Sequence, residues 1–261
     1  MKIHRIYAIV LRYLFLFRRS WDRLSDAFYW PTIDLLVWGL TSTYLRSFAP
    51  DTSPIILIII SGILLWLITW RAQYEITVGL LEDLWNQNLI NIFVSPLKFS
   101  EWIAAFLVTG ITKAFMSVIF ASAVAYLLYH VHIFSYGIYL IPFFASLMLT
   151  GWAIGFFVAG LILRFGTRIQ TLAWSFVALF SPFAAIYYPL STLPTWAQFI
   201  GKLMPASYIF EGSREIISNG HLDINKLVIS LVLNFVYLFF SFWFMKLSFE
   251  KVLSKGLVRL E

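Results

Sequence analysis

The chain of 261 residues carries a formal net charge of +6 and is 61% hydrophobic, 19% aromatic and only 12% charged. An ordinary soluble domain is about half apolar and about a quarter charged, so this composition argues against a soluble globular protein. The absence of cysteine excludes disulfides, thiolate metal sites and cysteine nucleophiles, and the basic residues flank apolar stretches without forming an aromatic-lined groove for nucleic acid.

Residues 1–24 begin the chain with an apolar run that Arg12 interrupts, and no small-residue cleavage site follows, which argues against a cleaved signal peptide. Arg5, Arg12 and Arg19 recur every seven residues and therefore form one basic stripe on a helix. We expect this helix to lie in the cytoplasmic interface with its arginines toward lipid headgroups. It is either a plain membrane anchor or a docking element for a partner.

Six long apolar stretches follow, each near or above the ~20 residues that a helix needs to cross ~30 Å of hydrocarbon. They cover residues 28–48, 54–70, 102–129, 137–163, 170–188 and 227–249. The sequence therefore predicts an all-α polytopic membrane protein, with six transmembrane helices in a single domain over residues 1–261.

Polar and small residues inside these stretches are candidates for function or packing. Asp34 and Lys113 are intramembrane charges, which are costly in lipid and usually face protein or water. Asp34 is therefore a candidate functional residue. Alternatively, it pairs with a basic residue such as Arg23, or its side chain extends outward to the membrane interface. Lys113 is about eleven residues inside its span, so we expect it to face the bundle interior. Gly151 and Gly155 form a G-x-x-x-G pair, which favours close packing within the molecule over a dimer face.

The segment of residues 71–101 is predicted to continue the second span as a helix, turn, and form a short second helix that ends at Ser95-Pro96. One face of this segment is apolar and needs a cover, which either the membrane surface or a partner protein would supply. The residues of this face are Leu80, Leu81, Leu84, Trp85, Leu89 and Ile92.

The segment of residues 189–222 is too apolar for an ordinary loop and too often broken by proline and glycine to span the membrane. It predicts two half-length helices, which lipid permits as a re-entrant pair when protein shields their backbone. Glu211 and Arg214 lie one turn apart on the second helix, so they can pair.

The order of these elements resembles the type 2 family of ATP-binding-cassette (ABC) transporter permeases, which includes bacterial exporters of polysaccharides, lipid-linked glycans and drugs. The resemblance covers essentially the whole chain. Its most specific parts are Ser95-Pro96-Leu97 followed by a polar residue and Glu101, and a run with LP, MP, Glu and Arg between Leu193 and Arg214.

The resemblance implies a permease that dimerises and binds two ATPase domains, whose grooves receive a coupling helix within residues 81–93. The N-terminal helix, here residues 1–20, would also rest on the ATPase, and the re-entrant pair, about residues 193–218, would close the outer end of the translocation path. The coupling residues are then Leu81, Glu82, Asp83, Leu84, Trp85, Asn88 and Pro96. The residues of the outer gate are Pro194, Trp196, Pro205, Glu211 and Arg214.

The function expected from this resemblance is that of the permease subunit of an ATP-driven exporter for a glycan, a lipid-linked or another amphipathic substrate. The chain contains no G-x-x-x-x-G-K-[ST] motif, so ATP and Mg²⁺ are expected on a separate ATPase chain, and this chain is expected to bind no cofactor and to be no enzyme. His130 and His132 have no nearby third ligand, so no metal site is expected. The partners expected are the ATPase, membrane lipids and a second permease chain, in a homodimer or alternatively a heterodimer.

The sequence leaves three alternatives open: a drug-efflux ABC permease, a secondary transporter and a membrane-embedded enzyme. A secondary transporter typically shows internally repeated broken helices, and the two halves of this chain show no such repeat. Strictly ATP-dependent transport would separate the permease from a secondary transporter, and turnover without a partner chain would favour the enzyme.

The distribution of positive charge predicts the topology. With a cytoplasmic N-terminus, 14 of the 19 basic residues fall in the inner loops and termini. This bias predicts a multi-pass inner-membrane protein with both termini and Ser95 on the cytoplasmic side. Asp51 and residues 189–222 are then predicted to lie outside.

We therefore expect single cysteines introduced at Ser95 and at Ser218 of this cysteine-free chain to react with a membrane-impermeant thiol reagent from opposite sides. Labelling of both positions from the same side of intact cells would contradict the six-span topology.

Overall fold

The structure, a computed structural model, describes residues 1–48 and 55–255 as helices and connecting turns, with no strand in these two ranges. Asp51, which the charge pattern places in an outer loop, lies outside the described residues. Ten α-helices follow one another along the described chain. They are α1 (Ile3–Arg19), α2 (Trp21–Phe48), α3 (Ile55–Trp85), α4 (Leu89–Val94), α5 (Phe99–Tyr129), α6 (Leu140–Phe165), α7 (Leu172–Phe180), α8 (Thr195–Leu203), α9 (Pro205–Asn219) and α10 (Ile224–Lys255).

Four segments of the described chain are long and apolar enough to cross a membrane: Ile55–Trp85, Phe99–Tyr129, Ile133–Ile169 and Ile224–Ser254. They correspond to the second, third, fourth and sixth predicted spans. The first predicted span lies in α2, whose 28 residues would reach about 42 Å at the usual rise of an α-helix. Five charged residues of α2 lower its hydropathy: Asp22, Arg23, Asp26, Asp34 and Arg46.

The fifth predicted span, residues 170–188, contains only a short helix. α7 has nine residues and is continued by a 3₁₀ turn at Ser181–Phe183, so the apolar helix Leu172–Phe183 rises only about 18 Å. Pro182 lies in this turn, and Ala185 just after it has a φ of 60°, which ends the helical path. The all-α class and a multi-pass membrane protein are therefore established, and the count of six spans stays a prediction.

α3 occupies the middle of the bundle, between α2, α5 and α6, and α10 closes the other side of α6. Gly151 and Gly155 of α6 let these two backbones approach closely. A Cβ atom built at Gly151 would lie 2.5 Å from the backbone oxygen of Thr69 and 2.5 Å from the Cβ of Ala72 on α3. The G-x-x-x-G pair thus packs inside the molecule, as the sequence predicted.

The segments of residues 71–101 and 189–222 both contain the helices expected from their sequence. α3 continues to Trp85, a turn follows at residues 86–88, and the short α4 ends just before Ser95. At the opposite end of α3, α8 and α9 form two consecutive short helices, and α9 packs against α6 and α10. These two regions are called the α4 end and the α9 end of the molecule below.

Candidate functional site

Asp83, in the last turn of α3, is the centre of a buried polar cluster at the α4 end. Its side chain is only 2% exposed. The Tyr13 hydroxyl donates to Asp83 Oδ2 at 2.5 Å, and an Arg12 guanidinium nitrogen lies 2.7 Å from Oδ1. Asn88 donates to the same Oδ1 at 3.3 Å, and the Trp102 indole donates to the Tyr13 oxygen at 3.3 Å. This cluster joins α1, α3, the turn before α4, and α5.

Tyr13 keeps its proton in this cluster. Burial raises the pKa of the Tyr13 hydroxyl well above its ordinary value, and the negative charge of Asp83 raises it further. The phenol therefore stays a hydrogen-bond donor to the carboxylate throughout the physiological pH range.

A second buried carboxylate, Glu101, holds the start of α1. The backbone nitrogen of Lys2 donates to Glu101 Oε1 at 2.7 Å, and the backbone nitrogen of Lys98 donates to Oε2 at 3.0 Å. Arg5 approaches Oε2 at 3.6 Å and also donates to the carbonyl oxygen of Pro96. The expectation that the arginine stripe of α1 faces lipid headgroups is therefore wrong for Arg5 and Arg12, because protein carboxylates compete for them at short distance. Arg19 remains exposed.

The apolar face predicted for residues 80–92 is covered mainly by the chain itself. Leu80, Leu81, Leu89 and Ile92 are buried in one cluster with side chains of α1, α5 and α10. The expectation that the membrane surface or a partner covers this face is wrong for these four residues. Asp83, a charged residue of the same segment, is also buried because Tyr13 and Arg12 satisfy it.

The part of the α4 end that stays open lies around Trp85, the turn before α4 and the end of α4. Trp85 is 47% exposed; its indole nitrogen donates to Gln170 at 3.2 Å, and its ring stacks on Trp174 with centroids 6.2 Å apart. Val94, the last residue of α4, is exposed, as are Ser95 and Pro96 just after it. Of the other predicted coupling residues, Leu84 and Asn88 are partly buried, and Glu82 is held by Arg23 at 2.6 Å. We call residues 85–96 the α4 corner.

Lys113 faces the bundle interior, as predicted. Its ammonium group lies 2.7 and 2.9 Å from the two carboxylate oxygens of Glu75 on α3, and 5.0 Å from the centre of the Phe17 ring. The alternative that Asp34 pairs with Arg23 is wrong, because Arg23 is bonded to Glu82.

Asp34 instead lines a recess of about 560 Å³ between α2, α3 and α7. Aromatic rings form much of its wall: Trp30, Trp66, Trp70, Tyr74, Trp174 and Tyr187. The recess also contains Asp26 and Arg71, whose side chains meet at 2.7 Å, and Arg71 donates in addition to the Asp26 carbonyl oxygen. We call this cavity the aromatic recess.

Sequence reasoning did not select Asp26, Arg71 or Glu75. A usable signal was present, because Asp26, Trp30 and Asp34 follow one another at four-residue spacing and so share a helix face. Arg71 and Glu75 repeat the same spacing on α3.

At the α9 end, Glu211 and Arg214 do form a pair, at 3.0 Å. The same carboxylate oxygen of Glu211 accepts the backbone N–H of Leu190 at 2.8 Å, so the pair also fixes the turn that leads into α8. Pro205 is buried at the start of α9. Trp196 is 62% exposed and makes an edge contact with Phe183, 5.9 Å between centroids. Pro194 stands immediately before α8.

The predicted coupling and gate residues thus lie at opposite ends of the molecule, with the aromatic recess between them. Within residues 1–48 and 55–255, no group of three or more His, Cys, Asp or Glu side chains is arranged to hold a metal ion.

We expect Tyr13→Phe to loosen α1, because the change keeps the buried ring but removes the donor to Asp83 and the acceptor for Trp102. Leaving buried polar groups unsatisfied typically costs about 1–3 kcal/mol. Hydrogen exchange of the α1 amides should therefore accelerate, and the melting temperature in detergent should fall. Tyr7→Phe on the exposed side of α1 is the matched control; equal exchange in the two variants would contradict a holding role for Tyr13.

Comparison with known proteins agrees with the resemblance found in the sequence. A model of the ABC-2 type transporter family matches residues 6–218, which include most of α1 and continue almost to the end of α9. A comparison with curated proteins gave no match. Because the family match covers well over half of the 261 residues, the chain belongs to the ABC-2 type transporter family.

Proposed function

We propose that this membrane transport permease is the transmembrane subunit of an ATP-driven exporter that moves a glycan, a lipid-linked or another amphipathic substrate. ATP and Mg²⁺ would bind to a separate ATPase chain, and two permease chains, identical in the simplest case, would enclose the path. The chain would lie in the inner membrane with both termini cytoplasmic, as its charge asymmetry favours.

The observation that carries this proposal is the open surface of the α4 corner, whose base is bonded to the bundle. Trp85 and residues 94–96 are exposed there, whereas the adjoining carboxylates of Asp83 and Glu101 are buried and bonded to α1. A half-exposed aromatic side chain on a fixed base suits docking into a groove, because little ordering is needed on binding. We assign Trp85, Asn88 and Pro96 to ATPase contact, and Leu81, Glu82, Asp83 and Leu84 to supporting that contact.

The aromatic recess supports the transport part of the proposal. α2, α3 and α7 surround a cavity that combines apolar rings with charged groups, which suits an amphipathic molecule better than a small ion. Its volume of about 560 Å³ also falls in the range of ~300–1,000 Å³ typical of small-molecule sites. This volume favours drug efflux as the second candidate function.

At the α9 end, we assign Pro194, Trp196, Pro205, Glu211 and Arg214 to an outer gate. The support is that one oxygen of Glu211 joins α9 to the turn before α8, so that the two short helices would move as one unit.

Replacing Trp85 by Ala tests ATPase coupling. Truncating an aromatic anchor at an interface can cost ~2 kcal/mol, which corresponds to roughly thirtyfold weaker association. When the permease is purified together with its partner ATPase, we expect Trp85→Ala to retain much less of the ATPase and to lose most ATP-dependent transport into inverted vesicles.

Two further variants make this test specific. Trp85→Phe retains a ring to stack on Trp174 and should keep most of the association. Trp243→Ala removes a similarly exposed tryptophan from the middle of α10, where a cytoplasmic ATPase does not reach, and should leave association intact. Full association and transport in Trp85→Ala would count against the α4 corner as the docking site. Transport that continues without any ATPase would indicate a secondary transporter.

The ion pair between Glu211 and Arg214 gives a second test. Arg214→Ala should impair export, because it strands the mostly buried Glu211 carboxylate without its counter-charge. Adding Glu211→Gln should restore part of the export, since the amide oxygen can still accept the Leu190 N–H while the uncompensated charge is gone. A double-mutant cycle on transport, at equal membrane abundance, measures the coupling. Small and strictly additive effects would show that the two residues do not act as a pair.

A further inference from the structure

Three helices each present one face to the aromatic recess. Asp26, Trp30 and Asp34 line it from α2 at four-residue spacing. Trp66, Trp70 and Tyr74 line it from α3 with the same spacing. Trp174 and Ala178 continue the pattern on α7. Residues four apart share a helix face, so this wall is continuous.

The charges in the recess do not cancel. Arg71 is bonded to Asp26 at 2.7 Å through one nitrogen and to the Asp26 carbonyl oxygen through another, so this pair is neutral. Asp34 lies two turns further along α2, about 12 Å at the usual rise per residue. Across the described ranges, no basic side chain forms an ion pair with Asp34. When Asp34 is ionised, the recess therefore carries one uncompensated negative charge.

The surroundings of that charge favour a particular kind of ligand. An ionised carboxylate within the predicted first span is costly unless it meets a counter-charge, and a neutral sugar cannot supply one. Indole and phenol faces attract cations, most strongly where water is excluded. Apolar side chains near Asp34 add a surface for a hydrocarbon part: Leu35, Ile63, Leu64 and Leu67.

We propose that the aromatic recess binds the amine or quaternary ammonium headgroup of an amphipathic substrate, with Asp34 as the counter-ion and the surrounding aromatic rings as the wall. This inference deepens the proposed transport function and narrows its substrate class to cationic amphiphiles. Asp26 and Arg71 then serve as a neutral boundary of the recess and do not contact the charge of the ligand.

The proposal is tested by binding to the full-length chain in micelles of a neutral polyoxyethylene detergent, without ATPase and without transport. Failure of the ATPase proposal therefore does not affect the result. The probes share one dodecyl chain and differ only in the headgroup: dodecyltrimethylammonium, dodecyl sulfate and dodecyl maltoside. We expect saturable binding of dodecyltrimethylammonium, with at least about tenfold preference over the other two.

Matched variants assign the preference to the recess. Asp34→Asn should weaken binding of dodecyltrimethylammonium about tenfold or more, whereas Asp22→Asn removes one charge from the same helix outside the recess and should have no effect. Trp30, which is 58% exposed, can be replaced without disturbing the core. Trp30→Leu should weaken binding about threefold, and Trp21→Leu, outside the recess, should not.

Equal binding of the three probes, or tighter binding of dodecyl maltoside, would overturn the proposal, and the second result would favour a sugar ligand. Identical affinities in Asp34→Asn and Asp22→Asn would also overturn it. If Asp34→Asn does not fold, Asp34→Glu should keep the preference for dodecyltrimethylammonium because it keeps the charge, and Trp30→Leu should bind this probe more weakly than Trp21→Leu; equal binding in the two tryptophan variants would then overturn the proposal. Displacement of the probe by added phosphatidylethanolamine would identify a lipid headgroup as the source of the cation, and its absence would identify a soluble amphiphile; either result preserves the charge selectivity.

Discussion

Ion pairs made by the α4-end half of α3 hold the first helices of the bundle in one arrangement. Arg71 meets Asp26 of α2, Glu75 meets Lys113 of α5, Glu82 meets Arg23 of α2, and Asp83 meets Arg12 and Tyr13 of α1. Charges withdrawn from water are tolerated only when they are paired, and removing one partner of such a pair typically costs about 3–5 kcal/mol. Because these four groups of α3 pair with three helices, two of them with α2, the helices α1, α2 and α5 cannot shift independently without exposing an unpaired charge.

This arrangement connects the three candidate regions. The Asp83 cluster fixes the base of the α4 corner, and the Arg71 pair lies at one edge of the aromatic recess. Trp174 belongs both to the recess wall and to the stack with Trp85 at the corner. A protein bound at the α4 corner would therefore touch a side chain that is in direct contact with the wall of the recess.

Much of the helical architecture could be predicted from the sequence, because the length of an apolar stretch and the residues that end a helix are local properties. The helix that continues α3 to Trp85, the turn and the short α4 follow from such signals, as do the two short helices α8 and α9. The interior position of Lys113 follows from the cost of a charge in lipid. The partners of Arg5 and Arg12 did not follow, since they depend on how α1 lies against helices 70 or more residues away. The shortness of α7 was also missed, because hydropathy does not report where a backbone leaves the helical path near Pro182 and Ala185.

The contacts between α3 and the α7 region have a mechanical consequence. At one end of the recess, Trp85 is bonded to Gln170 and stacked on Trp174. At the other end, Gly62 of α3 lies against the backbone of Ile186, where a Cβ atom would come within 2.6 Å of the carbonyl oxygen. Because α3 and the α7 region are in contact at both ends of the recess, they cannot separate at one end unless the contact there is broken. A larger ligand can therefore enter between α3 and α7 only after one of these two contacts has separated.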